Sequence, residues 1–218
     1  RTRVRKIKQQ ERTKSAIEKR IAETKMEALQ SQMNPHFIFN AMNSIQNFVI
    51  DNKTDDALKY IGEFSKLIRQ TLEFSSQQSV SLNDEIAYLE RYVSLENLRR
   101  NKQVECAISL EISVTTNTVE IPPLLIQPIV ENVFIHAFDT QSKDPKIEIN
   151  FDCKDDVIVC AISDNGKGFS KDSESKQSKG IKLVDERIRL LTGANQKFIH
   201  IHPNSLGGTI IILTIPLR

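Results

Sequence analysis

Three groups of residues in this 218-residue chain have types and spacings that suit chemistry. His36 lies in an apolar helical segment, and a neutral imidazole is a nucleophile near pH 7 because its pKa is about 6.5. Asn132 and His136 lie one helical turn apart, and an amide oxygen is a suitable ligand for a magnesium ion that holds phosphates. Asp164 follows an apolar run and opens the sequence Asp-Asn-Gly-Lys-Gly. A carboxylate there can accept a hydrogen bond from a purine amino group, and the glycines allow the backbone to approach a ligand closely. The order of the last two segments, followed by a polar loop and Gly180, indicates a nucleotide site.

The helix that carries His36 has a broad apolar surface and one narrow polar face. Its apolar stripe consists of Ile38, Met42, Ile45 and Val49, and the opposite face of His36, Asn40, Asn43 and Asn47. Pro35 should kink this helix and is a candidate hinge for signalling. A second helix follows the polar turn at 51–54, and together the two form an antiparallel hairpin. Two helices cannot cover so much apolar surface, so the pattern predicts a dimeric four-helix bundle.

The rest of the chain predicts an α+β fold. Ser81 and Asp84 begin a third helix at 82–100 in a capping-box-like arrangement. After about residue 103 the apolar period changes from 3.6 to 2, which indicates a mixed sheet with helices on one face. The predicted strands are 104–114, 146–153, 157–162, 199–201 and 209–215, and the predicted helices are 123–138 and 181–191, the latter closed by Gly193. The polar residues 170–179 predict a mobile loop.

Composition excludes several classes of protein. A net charge of +2 gives no argument for nucleic-acid binding, and no apolar run approaches the roughly 20 residues of a membrane span. The three cysteines, without metal spacing, indicate reduced thiols and a cytosolic setting. Residues 1–20 hold nine basic side chains, which form either a solvated helix face or a cytoplasmic helix just inside a membrane. We therefore expect an excised cytoplasmic portion of a cell-membrane protein whose sensor region and membrane span lie outside this chain.

Four segments resemble those of a known family. Residues 122–132, which read PPLLIQPIVEN, resemble the N box of the GHKL (Bergerat) ATPase superfamily, and 164–168 its first glycine box. Residues 207–210 resemble its closing Gly-Thr strand. Residues 32–40, which read QMNPHFIFN, resemble the phosphoacceptor segment of LytS-type sensor histidine kinases. The resemblance spans about residues 29–217.

The resemblance implies a domain order and a set of partners. Residues 1–28 would form a signalling helix, 29–80 the dimerisation and phosphoacceptor hairpin, 81–102 a connecting helix, and 103–218 the GHKL α/β sandwich that binds ATP and Mg²⁺. The implied function is autophosphorylation on a histidine, followed by transfer to an aspartate of a response-regulator receiver domain. The implied assembly is a homodimer.

The resemblance also implies roles for single residues. His36 would accept the γ-phosphoryl group, Asn132 would hold Mg²⁺, and Asp164 would recognise adenine. Glu131 is a candidate general base, although it is equally open to a structural role. Residues 169–179 would form the ATP lid. The other residues placed at the nucleotide site are His136, Gly166, Gly168, Gly180, Lys182 and Thr209.

Two departures keep other functions open. The second glycine box often has the form Gly-x-Gly-Leu, but residues 180–183 here are Gly-Ile-Lys-Leu, and the lost glycine restricts approach to the phosphates. Lys179 or Lys182 could supply compensating charge, or could simply be solvated. The position after His36, acidic in some other kinase families, is Phe37. The alternatives are a dimeric signalling scaffold with a degraded site, and a GHKL ATPase without phosphotransfer.

Two further pairs of residues are expected to be inert. His200 and His202 alternate onto one face of a strand, but no third metal ligand is evident. Cys153 and Cys160 flank a tight turn between neighbouring strands and are expected to be apolar packing residues rather than a disulfide.

Overall fold

The computed structural model describes residues 35–100, 103–111, 118–139, 142–154, 156–168, 179–194, 196–205 and 207–217, without the side chains of Pro35, His36 and Lys179. The chain divides into two compact units, Arg1–Ala57 and Leu58–Arg218. The expected signalling helix at 1–28, the kink before Pro35 and the loop at 170–178 lie outside the described residues.

The described part of the chain contains five helices. They are α1 (Pro35–Ile50), α2 (Thr54–Ser75), α3 (Leu82–Leu98), α4 (Gln127–His136) and α5 (Lys179–Thr192). The described strands are β1 (Val80–Ser81), β2 (Glu105–Leu110), β3 (Glu120–Ile121), β4 (Lys146–Lys154), β5 (Val157–Asp164), β6 (Ile199–Pro203) and β7 (Thr209–Pro216). The predicted α+β fold class is confirmed.

The first unit contains α1 and the turn into α2. Asn52 adopts a left-handed φ of 57°, and the N–H groups of Asn52 and Lys53 donate to the carbonyls of Val49 and Phe48 at 3.1 and 2.8 Å. This Schellman arrangement satisfies the last carbonyls of α1 and ends the helix at the predicted polar turn. Several large apolar side chains of α1 remain exposed, namely Phe39, Met42, Val49 and Ile50.

The predicted cap of α3 is present. The Ser81 hydroxyl accepts a hydrogen bond from the Asp84 N–H at 3.1 Å, which satisfies one of the free donors of the first turn. The helix ends at Leu98, two residues earlier than predicted. In the last turn of this helix, the side-chain amide of Asn97 donates to the carbonyl of Val104 and accepts its N–H, both at 2.9 Å. These two bonds lead the chain into the sheet.

The main sheet has five strands in the order β2-β4-β5-β7-β6, with β2 and β4 parallel and the other pairs antiparallel. Every second residue of β5 and β7 is buried, so one face of the sheet faces the core. The helices contribute buried apolar side chains to this core, including Leu89, Ile129, Val133, Val184 and Ile188. The predicted mixed sheet is confirmed.

A second, two-stranded sheet was not predicted. β1 pairs antiparallel with β3, with Val80 opposite Ile121 and Ser81 opposite Glu120. The Leu82 N–H adds a bond to the Val119 carbonyl at 2.8 Å. Strands of two residues are too short to show an alternating pattern, so the sequence carries no signal for them.

The predicted helix at 123–138 is shorter in the structure, where it begins at Gln127. Leu124 has a left-handed φ of 55°, which a helix cannot accommodate. The prediction was therefore wrong about the first four residues. By contrast, α5 ends as predicted, because Gly193 adopts φ 67° and its N–H donates to the Arg189 carbonyl at 2.9 Å.

Candidate active site

Asp164 is a carboxylate fixed at the end of the central strand β5. Its side chain is only 4% exposed, and Oδ1 accepts the Gly166 N–H at 2.8 Å. Burial raises the pKa of this carboxyl, while hydrogen bonds from the backbone of Gly166 and Thr209 act in the opposite direction. The geometry gives a stationary acceptor at the sheet end, as purine recognition requires.

Two glycines are packed directly against Asp164 and its neighbours. A Cβ atom built on Gly208, whose φ is 83°, would lie 2.1 Å from the Asp164 carbonyl oxygen and 2.6 Å from Oδ1. A Cβ atom on Gly166 would lie 2.3 Å from the Ala137 carbonyl oxygen. Real Cβ atoms do not approach so closely, so only glycine fits at either position. Gly168, with φ 76°, lies against the backbone of Gly208.

The same loop joins the predicted magnesium helix to the predicted purine site. The Lys167 N–H donates to the carbonyl of Ala137, the residue that caps the end of α4, at 3.0 Å. Asn132 and His136 lie on this helix, the first half-buried and the second exposed. The structure therefore brings the two segments that the sequence singled out into direct contact.

The remaining predicted site residues lie on α5 and β7. Thr209 is buried at the start of β7, where its backbone binds Asp164. Gly180 is half-buried and Lys182 is exposed in the first turn of α5, which packs against α4. Lys182 therefore has room for a charged ligand, while the predicted lid that would extend over it lies outside the described residues.

Glu131 differs from its neighbour Asn132 in being buried. The Glu131 side chain accepts a hydrogen bond from the Gln127 amide at 3.1 Å. The pKa of the Tyr88 hydroxyl on α3 is raised, mainly because the group is buried. A hydrogen bond with Thr71 opposes this rise, and the nearby carboxylates Glu85 and Glu131 add to it. Glu131 thus lies close to α3. Its role as a base remains a prediction.

Two residues that sequence reasoning missed support this site. Glu85, fully buried on α3, accepts N–H bonds from Leu124, Leu125 and Ile126 at 2.9, 3.0 and 3.2 Å. The sequence offered one signal for Glu85, since it is an acidic residue among the apolar positions of α3. The Asn204 amide donates to the Asp164 carbonyl at 3.1 Å and to the Ser163 hydroxyl at 3.0 Å. No local pattern marks Asn204, because its partners lie on a distant strand.

His36 lies in the first turn of α1, in the unit Arg1–Ala57. Its neighbours on the predicted polar face, Asn43 and Asn47, are exposed, and Asn40 is half-buried. Met42 and Val49 of the predicted apolar stripe are exposed as well, so exposure within this unit does not separate the two faces.

The residues expected to be inert form no site in the described part of the chain. His200 and His202 are exposed with their rings 6.5 Å apart, and no described group of three histidines, cysteines or acids could hold a metal ion. Cys106, Cys153 and Cys160 are free thiols. No helix among the described residues is long and apolar enough to span a bilayer.

The residues of this site suit a nucleotide with its magnesium ion. Gly166 and Gly208 allow the backbone of Ala137 and Asp164 to pack closely around the end of β5, where Asp164 offers a buried acceptor. The half-buried amide of Asn132 is an oxygen donor of the kind Mg²⁺ takes when its other ligands are phosphates and water.

The chain is similar in sequence to several known proteins. A family model described as "Histidine kinase" matches residues 24–104, the stretch that includes His36. The chain is 35% identical over 204 residues to the sensor protein LytS of Streptococcus mutans, covering 87% of this chain and 33% of that protein. It is 29% identical over 210 residues to LytS of Bacillus subtilis, covering 92% of this chain and 35% of that protein. The chain thus spans about a third of the length of these relatives.

Among solved structures, the chain resembles the histidine kinase domain of a blue-light activated histidine kinase from Erythrobacter litoralis. The TM-score is 0.50 at 18% sequence identity, with 71% of this chain and 75% of that chain covered. The fold is therefore that of a histidine kinase domain. More particularly, the chain is similar in sequence to LytS sensor proteins over about a third of their length, and the resemblance to LytS-type sensor histidine kinases is confirmed.

Proposed function

We propose that this chain is the kinase core of a two-component sensor, which binds ATP with Mg²⁺ at Asp164 and Asn132 and phosphorylates His36. The observation that carries the proposal is the buried Asp164 carboxylate, which lies in a cradle of backbone formed by Gly166, Gly208 and Thr209 at the end of β5. A plain nucleotide-binding domain would account for that cradle, but not for the family match over residues 24–104. The two features together favour phosphotransfer.

The proposed reaction is an in-line displacement. A ring nitrogen of neutral His36 attacks the γ-phosphorus, the bond to the β–γ bridging oxygen breaks, ADP leaves, and the N–H proton on the opposite ring nitrogen passes to a general base or to water. Bound Mg²⁺ would neutralise charge on the phosphates, with Asn132 as its protein ligand. The Asp164 carboxylate would accept from the purine amino group, and the N–H groups of Gly166 and Thr209 hold that carboxylate in place. The phosphoryl group then passes from His36 to an aspartate of a receiver domain.

We further propose that two copies of the chain associate through their helical segments. Within the first unit, Phe39 and Ile50 are 69% and 75% exposed, and within the second Leu58 is 64% exposed. Exposed side chains of this size on helices are expected to be covered, and a second copy supplies matching surfaces. We place the chain on the cytoplasmic side of a membrane, where its basic segment at 1–20 meets anionic lipid.

The domain boundaries predicted from the sequence also stay proposals. The connecting helix corresponds to α3, which is bonded to the loop before α4 through Glu85 and therefore belongs to the unit Leu58–Arg218. The hairpin at 29–80 and the ATP-binding region at 103–218 lie on either side of it.

The experiment is phosphorylation with ATP labelled at the γ-phosphate. The wild-type chain should acquire label that acid removes and base does not, and His36→Gln should acquire none. His136→Gln and His200→Gln are controls, since both replace exposed histidines, the first beside the proposed nucleotide site and the second remote from it. His200→Gln should keep full labelling. Label persisting in His36→Gln contradicts the assignment.

Two results would favour the alternatives. Unmeasurable ATP binding in an intact dimer would indicate the degraded scaffold, which the altered box at residues 180–183 motivates. Steady release of inorganic phosphate that does not depend on His36 would indicate an ATPase without phosphotransfer.

A further inference from the structure

The start of α4 has only one of the local features that normally stabilise a helix N-terminus, the proline Pro128 within its first two positions. Its N-cap residue, Ile126, makes no side-chain capping bond, and the first turn has no acidic residue. The first N–H groups of a helix need acceptors, and the helix dipole favours negative charge at this end. Because α4 provides neither at its own start, contacts from other elements are expected to support this end.

Glu85 supplies them from a different helix. Its Oε2 accepts the Leu124 N–H, and its Oε1 accepts the N–H groups of Leu125 and Ile126. The carboxylate is fully buried, so water cannot replace it as the acceptor. Leu124 also holds a left-handed backbone conformation, and such strain persists only where the surroundings fix it. Glu85 is the group that fixes it.

We propose that Glu85 is a positioning residue for the nucleotide site: by binding three consecutive N–H groups at the start of α4, it sets the position of the helix that carries Asn132. This inference rests on the proposed function, because it assigns Asn132 to the magnesium ion of the bound nucleotide. Glu85 itself does not touch the nucleotide.

The neighbouring contacts make α3 a suitable support. The Leu82 N–H and the β1–β3 pair tie the first residues of α3 to 119–121, the stretch that leads into this loop. The Tyr88 hydroxyl, one turn beyond Glu85, shares a hydrogen bond of 2.9 Å with Thr71 of α2. A shift of α3 against α2 would thus reach α4 through Glu85. The same bonds that place Asn132 provide a physical link to the helices before it.

The end of α4 is held separately from its start. The Ala137 carbonyl binds the Lys167 N–H, in the loop that follows Asp164. The purine acceptor is therefore fixed by β5 and its glycine neighbours, whereas Asn132 depends on both ends of α4. Loss of Glu85 should weaken the contribution of Mg²⁺ to binding more than the binding of the base.

The test compares Glu85→Gln with Glu96→Gln by calorimetry at a temperature where both are folded. The side-chain amide of the new Gln places an N–H donor against at least one of the three backbone N–H groups that donate to Glu85 in the wild type. Glu96 is the matched control, because it is also buried on α3 but pairs with Arg99. Binding of a non-hydrolysable ATP analogue is measured with Mg²⁺ and with EDTA, and adenosine binding is measured as a reference.

In the wild type and in Glu96→Gln, Mg²⁺ should strengthen binding of the analogue by the same factor. In Glu85→Gln that factor should fall by about 10-fold or more, the range found when supporting partners of metal ligands are removed, with adenosine affinity nearly unchanged. An unchanged Mg²⁺ factor in Glu85→Gln overturns the inference, and so does an equal fall in Glu96→Gln. Failure of the wild type to bind the analogue would instead contradict the proposed function.

A measurement on the wild-type chain covers the case in which Glu85→Gln does not fold. Coupling between two sites is reciprocal, so binding of the analogue with Mg²⁺ should slow hydrogen exchange at Leu124, Leu125 and Ile126. With EDTA the slowing should be smaller. Equal exchange at these amides in the free, EDTA and Mg²⁺ states contradicts the inference.

Discussion

Gly208→Ala should damage the purine site more than its neighbour Gly207→Ala. Both glycines have positive φ, 83° and 94°, so both substitutions force an L-residue into left-handed backbone. That strain costs roughly 1–2 kcal/mol, and the reduced freedom of the unfolded chain returns about 0.4–1 kcal/mol. Only Gly208 adds a collision, since a Cβ atom on Gly207 would meet nothing closer than the Gly166 carbonyl oxygen at 4.0 Å.

The collision at Gly208 is with Asp164 itself. Its new Cβ atom would lie 2.6 Å from Oδ1 and 2.1 Å from the carbonyl oxygen, so the backbone or the carboxylate must move by about 1.3 Å or more to reach ordinary contact. Overpacking of this kind costs roughly 1–3 kcal/mol. We therefore expect Gly208→Ala to lower the free energy of unfolding by about 2–4 kcal/mol, and Gly207→Ala by about 1 kcal/mol or less.

The assay is urea unfolding, with adenosine binding measured on the folded variants. Gly193→Ala is a second control, because Gly193 has φ 67° and open space around its Cβ position, far from the proposed site. A displacement near 1 Å should also weaken adenosine binding by about 100-fold in Gly208→Ala, and hardly at all in Gly193→Ala. Equal unfolding midpoints and equal adenosine affinities for Gly208→Ala and Gly207→Ala would refute this reasoning.

Three further predictions concern single groups. Ser81→Ala removes the cap of α3 and should lower the free energy of unfolding by about 1 kcal/mol in urea titration, whereas Ser94→Ala, at an exposed position within the same helix, should not lower it; equal losses contradict the capping role. Burial raises the pKa of the Cys106 thiol to about 11, so its alkylation, followed by mass spectrometry, should accelerate about tenfold per pH unit from pH 8 to 10; a plateau by pH 9 would be inconsistent with this. Burial also raises the pKa of Asp164, so the native state holds its proton to higher pH than the unfolded chain. The free energy of unfolding of the wild type, relative to Asp164→Asn, should then fall as pH rises from about 4 through that raised pKa, and parallel pH profiles would count against it.

The parts of the fold that the sequence predicted correctly depend on neighbours along the chain. The Ser81 cap, the Gly193 stop and the turn at 51–53 each need only residues within one helical turn. The strands of the main sheet were predicted because alternation over several residues marks a sheet with one buried face. Their ends were less accurate, by up to a few residues, since pairing partners decide where a strand stops.

The parts that the sequence missed depend on distant partners. The three residues that lead into α4 are bound by the Glu85 carboxylate, about 40 residues earlier in the chain. The β1–β3 pair likewise joins segments about 40 residues apart. Asn204, which supports Asp164 from the turn between β6 and β7, is marked by nothing in its own neighbourhood. Local propensity cannot reveal such bonds, because their donors and acceptors are far apart in sequence and meet only in the folded chain.

By itself, the sequence determined which residues could do chemistry: a histidine on a polar helix face, an amide one turn from a second histidine, and a carboxylate followed by glycines. It also determined the helical first part and the α+β second part, because the period of the apolar residues is set by their order along the chain. Only the tertiary structure decided that Gly208 closes against Asp164, that Ala137 meets Lys167, and that Glu85 holds the start of α4. The physical reason is that hydrogen bonds and steric contacts are short-ranged, so they act only between atoms that folding has already brought together.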